Sequence, residues 1–111
     1  MTSGNLYEAI NTPATGERFE ALLRHKNLVV ERIISSANAT PIEFIQEQDE
    51  WVLLVRGTAT LEVSGQVNDL KAGDYVFLPA RAPHSVRKVS EGALWLAVHL
   101  HPDQSTSAYG T

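Results

Sequence analysis

The hydrophobic pattern is most distinctive between Phe44 and Gly57, where polar residues give way to an uninterrupted apolar run from Trp51 to Val55. Five consecutive apolar residues that include a tryptophan and two valines favour a strand buried on both faces over an amphipathic helix. Glu50 directly precedes this run. A carboxylate there needs a cation, a hydrogen-bond donor or a proton, because burying it unpaired is very costly. We therefore expect the chemistry of the protein to begin at Glu50.

The rest of the chain is dominated by short runs with the period of two that β-strands show. Thr58 to Val63 alternates cleanly, and glycine, proline and serine turns separate the other runs. The segment from Glu17 to His25 fits either one short helix or an edge strand, and the pattern leaves this open. The predicted strands are 28–35, 58–63, 66–70, 75–78, 84–89 and 93–100, with an extended segment at 41–45. This series predicts an all-β sandwich or small barrel.

A chain of 111 residues forms one domain with one modest core. We divide it into an N-terminal arm with a first edge element (1–27), a β-barrel (28–101) and a flexible C-terminal tail (102–111). Neither face of the runs 51–55 and 94–100 is polar, so the N-terminal arm or a second subunit must cover the second face. We expect a homodimer.

Composition excludes several classes of function. The formal net charge is -4, and the short basic groupings at 24–26 and 87–88 carry no interleaved aromatic residues, which argues against a nucleic-acid partner. The absence of cysteine excludes disulfides, thiolate zinc sites and a cysteine nucleophile. The N-terminus lacks the features of a signal peptide, and no apolar stretch has membrane-spanning length. We expect a cytoplasmic protein with no membrane partner.

Two spaced motifs carry a family resemblance. Gly57 follows Glu50 at the end of the apolar strand, and residues 73–84 (GDYVFLPARAPH) have the spacing Gly-x5-Pro-x4-His. Together they resemble the two motifs of the cupin superfamily, whose metal ligands are a His-x-His and a Glu from the first motif and a His from the second. The resemblance covers roughly Ile33 to Leu100, extends to small single-domain bacterial cupins, and implies a jelly-roll β-barrel.

The resemblance also implies a candidate site. Glu50 stands at the family's glutamate and His84 at its second-motif histidine, whereas Phe44 and Gln46 stand where the family has its two first-motif histidines. In a cupin jelly roll the last strand runs antiparallel beside the strand that begins at Glu50, which implies that His99 lies near Glu50. The implied ligand set is then Gln46, Glu50, His84 and His99, which suits a divalent Zn, Fe, Mn or Ni ion.

These residues support three hypotheses about function. The first is a small-molecule-binding cupin whose metal polarises a substrate oxygen, as an oxygenase, isomerase or lyase acting on a small polar substrate. The second is a metal-free, non-catalytic binding or sensing module, and the third is a structural dimer with a sealed apolar interior. Plainer interpretations exist for single residues: Glu50 closing the barrel mouth through hydrogen bonds, His99 as a satisfied core histidine, and Arg81 as a solvated loop side chain rather than a clamp for an acidic ligand.

Overall fold

The computed structural model describes residues 2–38 and 40–103, and these form eight β-strands and no α-helix. A five-stranded antiparallel sheet has the order β1-β2-β8-β3-β6, and a three-stranded sheet has the order β5-β4-β7. None of these residues belongs to a helix that could cross a membrane. The predicted all-β fold is confirmed. The strands are β1 (Glu17–His25), β2 (Leu28–Ser35), β3 (Asp49–Arg56), β4 (Thr58–Val63), β5 (Gln66–Lys71), β6 (Tyr75–Leu78), β7 (His84–Val89) and β8 (Ala93–Leu100).

The segment that the sequence pattern left open, β1, is an edge strand. It pairs antiparallel with β2 from Glu17 opposite Ser35 to His25 opposite Leu28, with a register shift between Ala21 and Leu23. This pairing gives the backbone groups on the outer edge of β2 their hydrogen-bond partners, which a helix could not do. β1 therefore lies in the same sheet as β2. The domain boundaries drawn above stay a prediction, and residues 104–111 of the expected tail lie outside the described part of the chain.

The core lies between the two sheets. From β3, Val52 and Leu54 point inward on the same face as Glu50, because every second side chain of a strand shares a face. Trp95 and Ala97 of β8 meet them from the neighbouring strand. The buried apolar cluster is completed by Ile33, Ala59, Leu61, Leu70, Leu78, Val89 and Ala93.

The N-terminal arm covers part of the outer face of the five-stranded sheet. Arg32 of β2 is buried there; its Nη1 donates to the carbonyl oxygen of Leu6 at 2.8 Å, and its Nη2 pairs with Glu20 of β1 at 3.2 Å. The β6 side of the same face is different. Tyr75 and Phe77 are 66% and 58% exposed, so that part of the apolar face has no cover within the described residues.

Gly57, at the end of β3, packs closely against the turn before β8. Its φ is +98°, and a Cβ atom there would lie 2.6 Å from Ser90 Oγ and 3.0 Å from Ala93 Cβ. Ser90 Oγ cannot easily move away, because it accepts a hydrogen bond from the Thr58 amide at 2.9 Å. This position therefore requires glycine for two reasons, backbone conformation and space.

We predict that Gly57→Ala lowers the free energy of unfolding more than Gly73→Ala does. Gly73 is a matched control, since its φ is +96° and nothing lies within 4 Å of its added Cβ. The control measures the cost of a positive φ alone, about 1–2 kcal/mol, and the close contacts at Gly57 should add roughly 1–3 kcal/mol. Urea unfolding of both variants measures the difference. Equal losses of unfolding free energy in the two variants would show that Ser90 and Ala93 move away from the added Cβ atom at no cost in stability.

Candidate ligand-binding site

A pocket of about 240 Å³ opens between the two sheets. The four residues of the predicted ligand set, Gln46, Glu50, His84 and His99, all line it. Most of the remaining wall is apolar and comes from both sheets and from the segment before β3. The apolar lining residues are Phe19, Ile33, Phe44, Val52, Leu61, Leu78, Val86 and Trp95.

Glu50 and His99 meet because β3 and β8 pair with these two residues directly opposite each other. The Oε1 atom of Glu50 lies 3.9 Å from Nδ1 of His99 and accepts a hydrogen bond from Nε2 of Gln46 at 2.9 Å. Glu50 is only 7% exposed. The amide that replaces a family histidine thus serves here as a hydrogen-bond donor to a buried carboxylate, which reduces the cost of burying it.

His99 has a partner at each ring nitrogen. Its Nε2 lies 2.8 Å from Oε1 of Glu31, and its Nδ1 lies 3.3 Å from the side-chain nitrogen of Gln48. The hydrogen bond to Glu31 raises the pKa of His99 above its ordinary value of 6.5; burial opposes this rise, and the charges of Glu50 and Glu31 add to it. The contact with Glu31 therefore favours the protonated form of the His99 ring.

His84 is held in a different way, at the first position of β7. Its Nδ1 lies 3.1 Å from the carbonyl oxygen of Ala82, which can only accept, so Nδ1 carries a hydrogen and, in the neutral ring, Nε2 is the acceptor. Within the described residues, Nε2 has no hydrogen-bond partner. The ring stacks on Phe44 at a centroid distance of 5.8 Å, and the backbones of the two residues form a bridge. Phe44, at a family histidine position, thus supports the ring of His84.

Two further carboxylates line the pocket, Glu17 of β1 and Glu31 of β2. Oε2 of Glu17 accepts a hydrogen bond from Ser35 Oγ at 2.6 Å, and Ser35 Oγ accepts one from the Trp95 indole at 3.0 Å. Burial raises the pKa of the Glu17 carboxyl, the Ser35 hydrogen bond opposes this, and the charges of Glu50 and Glu31 add to the rise. The sequence prediction missed both carboxylates. A signal existed for Glu31, which shares the inward face of an apolar strand with Ile33.

Comparison with known proteins identifies the family. The protein-family model of the cupin domain matches residues 32–100 of this sequence. A crystal structure from Ralstonia eutropha JMP134, named a putative mannose-6-phosphate isomerase, is 37% identical and superimposes with a TM-score of 0.83, covering 90% of this chain and 98% of that one. The chain is a cupin. A search of curated proteins finds no match.

Two more distant structures share the cupin fold. An RmlC-like cupin from Shewanella frigidimarina NCIMB 400 is 18% identical, with a TM-score of 0.73, and covers 95% of this chain and 98% of that one. KdgF from Halomonas sp. is 16% identical, with a TM-score of 0.72; the match covers 82% of this chain and 85% of that one. At such identities the likeness shows the fold alone.

The donor atoms of this cupin's pocket do not fit a metal ion as they are arranged. Residues 2–38 and 40–103 contain no group of three histidine, aspartate or glutamate side chains that could hold one. Both ring nitrogens of His99 already have partners, and Gln46 presents its nitrogen, not its oxygen, to Glu50. The metal-ligand set of Gln46, Glu50, His84 and His99 therefore stays a prediction from the family resemblance.

Arg81 stands where the cupin motif usually has glycine, and its φ of +67° explains that preference. Its side chain is 76% exposed and pairs with Glu47, with Nε 3.0 Å from Oε2. Arg81 does not line the pocket. This geometry agrees better with Arg81 as a solvated loop side chain than with Arg81 as a residue that binds an acidic ligand.

We predict that His99 titrates above pH 6.5 and that Glu31→Gln brings its pKa back toward that value. Because the folded pKa is raised, the stabilisation from charged His99 is complete below the unfolded pKa and is lost as pH rises through the folded pKa. The free energy of unfolding should thus fall with rising pH above about 6.5, and this slope should shrink in the variant. NMR titration of the histidine ring protons and urea unfolding between pH 6 and 9 measure both effects.

The control for this prediction is Glu47→Gln, which removes a carboxylate from the exposed pair with Arg81 and should leave the His99 titration unchanged. His99→Gln assigns the resonance. A wild-type His99 that titrates at or below pH 6.5 would contradict the prediction.

Proposed function

We propose that this cupin binds a small polar organic molecule in the pocket and exchanges protons with it through His99 and His84, without a metal ion. The observation that carries this proposal is the pairing of buried His99 with Glu31 and Glu50 in a pocket with mostly apolar walls. A volume of about 240 Å³ suits a metabolite smaller than a drug-sized ligand.

The two histidines suit complementary roles. A substrate oxygen that displaces the Gln48 amide from Nδ1 of His99 could take a proton there while Nε2 stays bonded to Glu31, and Nε2 of a neutral His84 could accept one. The apolar walls lower the local dielectric, which strengthens both interactions. The hydrogen-bonded pair of Gln46 and Glu50 would orient a hydroxyl or amine of the ligand.

Proton transfer of this kind is the central step of isomerase and lyase chemistry next to a carbonyl group. The name of the 37% identical Ralstonia protein, a putative mannose-6-phosphate isomerase, agrees with this class. A non-catalytic binding module would use the same pocket and the same hydrogen bonds. What separates the two is whether the bound molecule exchanges hydrogen with solvent.

We expect the protein to catalyse exchange of carbon-bound hydrogen for deuterium in D2O in at least one member of a panel of small aldehydes, ketones, amino ketones and sugars that includes mannose 6-phosphate. His99→Gln and His84→Gln should each reduce the exchange rate at least about 100-fold, the usual contribution of a general acid or base. Glu47→Gln, outside the pocket, is the control. NMR spectroscopy measures the exchange.

Binding is measured separately, through the fluorescence of Trp95 in the variant Trp51→Phe, which leaves the pocket tryptophan as the sole reporter. Binding without exchange would reduce the function to a sensing module. Elemental analysis of protein prepared without chelator completes the test. Stoichiometric Zn, Fe, Mn or Ni that is lost together with activity in His84→Gln would replace this proposal with the metal-dependent one.

We also propose that the protein is a homodimer that buries the uncovered part of the outer face. Trp51 and Tyr75 contact each other there, with ring centroids 5.6 Å apart, and Phe77 lies opposite Trp51 in the β3–β6 pairing. A contiguous exposed aromatic surface of this kind is typical of a protein–protein interface.

We predict that Phe77→Glu shifts the protein from dimer to monomer at micromolar concentration, because it places a charge in an apolar interface. Val67→Glu on β5 is the matched control, since Val67 is 59% exposed and Phe77 is 58% exposed. Sedimentation velocity measures the change. A monomeric wild-type protein, or equal dissociation of both variants, would contradict the proposal.

A further inference from the structure

The charges around the pocket are unbalanced. Three carboxylates line it, those of Glu17, Glu31 and Glu50, and no lysine or arginine of the described residues does. We propose that the ligand is a small organic cation, an amine whose ammonium group lies among these carboxylates, rather than a phosphorylated sugar or other anion. This proposal rests on the proposed function, because it names the class of molecule that the same pocket takes.

Each carboxylate uses only one of its two oxygens within the described structure. Oε2 of Glu17 accepts from Ser35, Oε1 of Glu31 pairs with His99, and Oε1 of Glu50 accepts from Gln46. The second oxygen of each carboxylate therefore remains available to a ligand. An ammonium group carries three hydrogens to donate and no acceptor, so it complements such a set of oxygens.

The protein's own cations do not neutralise this charge. Arg32 lies on the outer face, where it binds Glu20 and the Leu6 carbonyl, and Arg81 pairs with Glu47 in solvent. The basic groups that do line the pocket are its two histidines, His84 and His99. His99 pairs with one carboxylate, that of Glu31, and Nε2 of His84 has no partner among the described residues.

This imbalance decides between ligand classes. Three carboxylates face the pocket, and the single imidazole that pairs with one of them is that of His99. A phosphate or carboxylate ligand would lie against these carboxylates as a further anion, whereas an ammonium group would pair with them.

The apolar part of the pocket fits the rest of such a molecule. Phe19, Phe44 and Trp95 line the pocket together with the carboxylates. Aromatic faces attract cations, and of these three rings Trp95 is buried whereas Phe19 and Phe44 are exposed. They also bury the hydrocarbon body of an amine favourably. A phosphorylated sugar offers neither the positive charge nor the apolar surface.

Benzylamine, benzyl alcohol and benzoate provide a matched set of probes, similar in size and different in charge. At about pH 7 the amine is protonated and benzoate is ionised. In isothermal titration calorimetry with the full-length protein, we expect the amine to bind at least tenfold more tightly than the alcohol, and benzoate more weakly than the alcohol. Glu17→Gln and Glu50→Gln should each reduce the preference for the amine over the alcohol several-fold, and Glu47→Gln should leave it unchanged.

A second readout uses the carboxyl group of Glu17, whose pKa should fall when the amine binds, as followed by ¹³C NMR. Equal affinity for amine and alcohol, tighter binding of benzoate, or no binding of the amine would each overturn the proposal. If the alcohol or benzoate binds in those cases, the proposal that the pocket binds a small molecule still stands. The hydrogen-exchange assay tests the proposed function independently of ligand charge.

Discussion

The antiparallel pairing of β3 with β8 is the constraint on which both the core and the pocket depend. The register that places Glu50 opposite His99 also places Leu54 opposite Trp95. A slip of one residue would turn every inward side chain outward, so the burial of leucine and tryptophan also fixes the acid and the imidazole. The polar site is therefore positioned by hydrophobic packing, and the hydrogen bonds around His99 need only hold the final side-chain geometry.

The strands and the meeting of Glu50 with His99 were predictable because both follow from short-range periodicity and a family topology. The bounds of β2, β4, β6, β7 and β8 agree with the sequence pattern, in which turn residues interrupt apolar runs. Whether residues 17–25 form a helix or a strand was not predictable, because this polar segment has no strong hydrophobic period. It forms strand β1 only through its pairing with β2. Glu17 could not be placed in the pocket until that pairing was known.

Glu31 and the partners of the histidines were missed for another reason. A charged residue within an apolar strand can face either side, and the inward choice depends on a partner 68 positions later, His99. Likewise, no local pattern indicates that His84 binds a backbone carbonyl at Ala82 or that Phe44 stacks on its ring. These are properties of tertiary contacts, which the order of residue types in one chain does not encode locally.

The replacements in the first cupin motif change what this scaffold can do. A histidine pair there would offer two neutral nitrogen donors, whereas Phe44 supports the ring of His84 and Gln46 donates to the buried carboxylate of Glu50. Glu31 and Gln48 at the same time occupy both nitrogens of His99. The contacts of Gln46, Gln48 and Glu31 are hydrogen bonds inside the protein to atoms that a metal could otherwise bind, whereas Phe44 contributes ring stacking. The carboxylates and imidazoles of the pocket thereby form a polar network within the protein, which on our proposal an organic ammonium ligand completes.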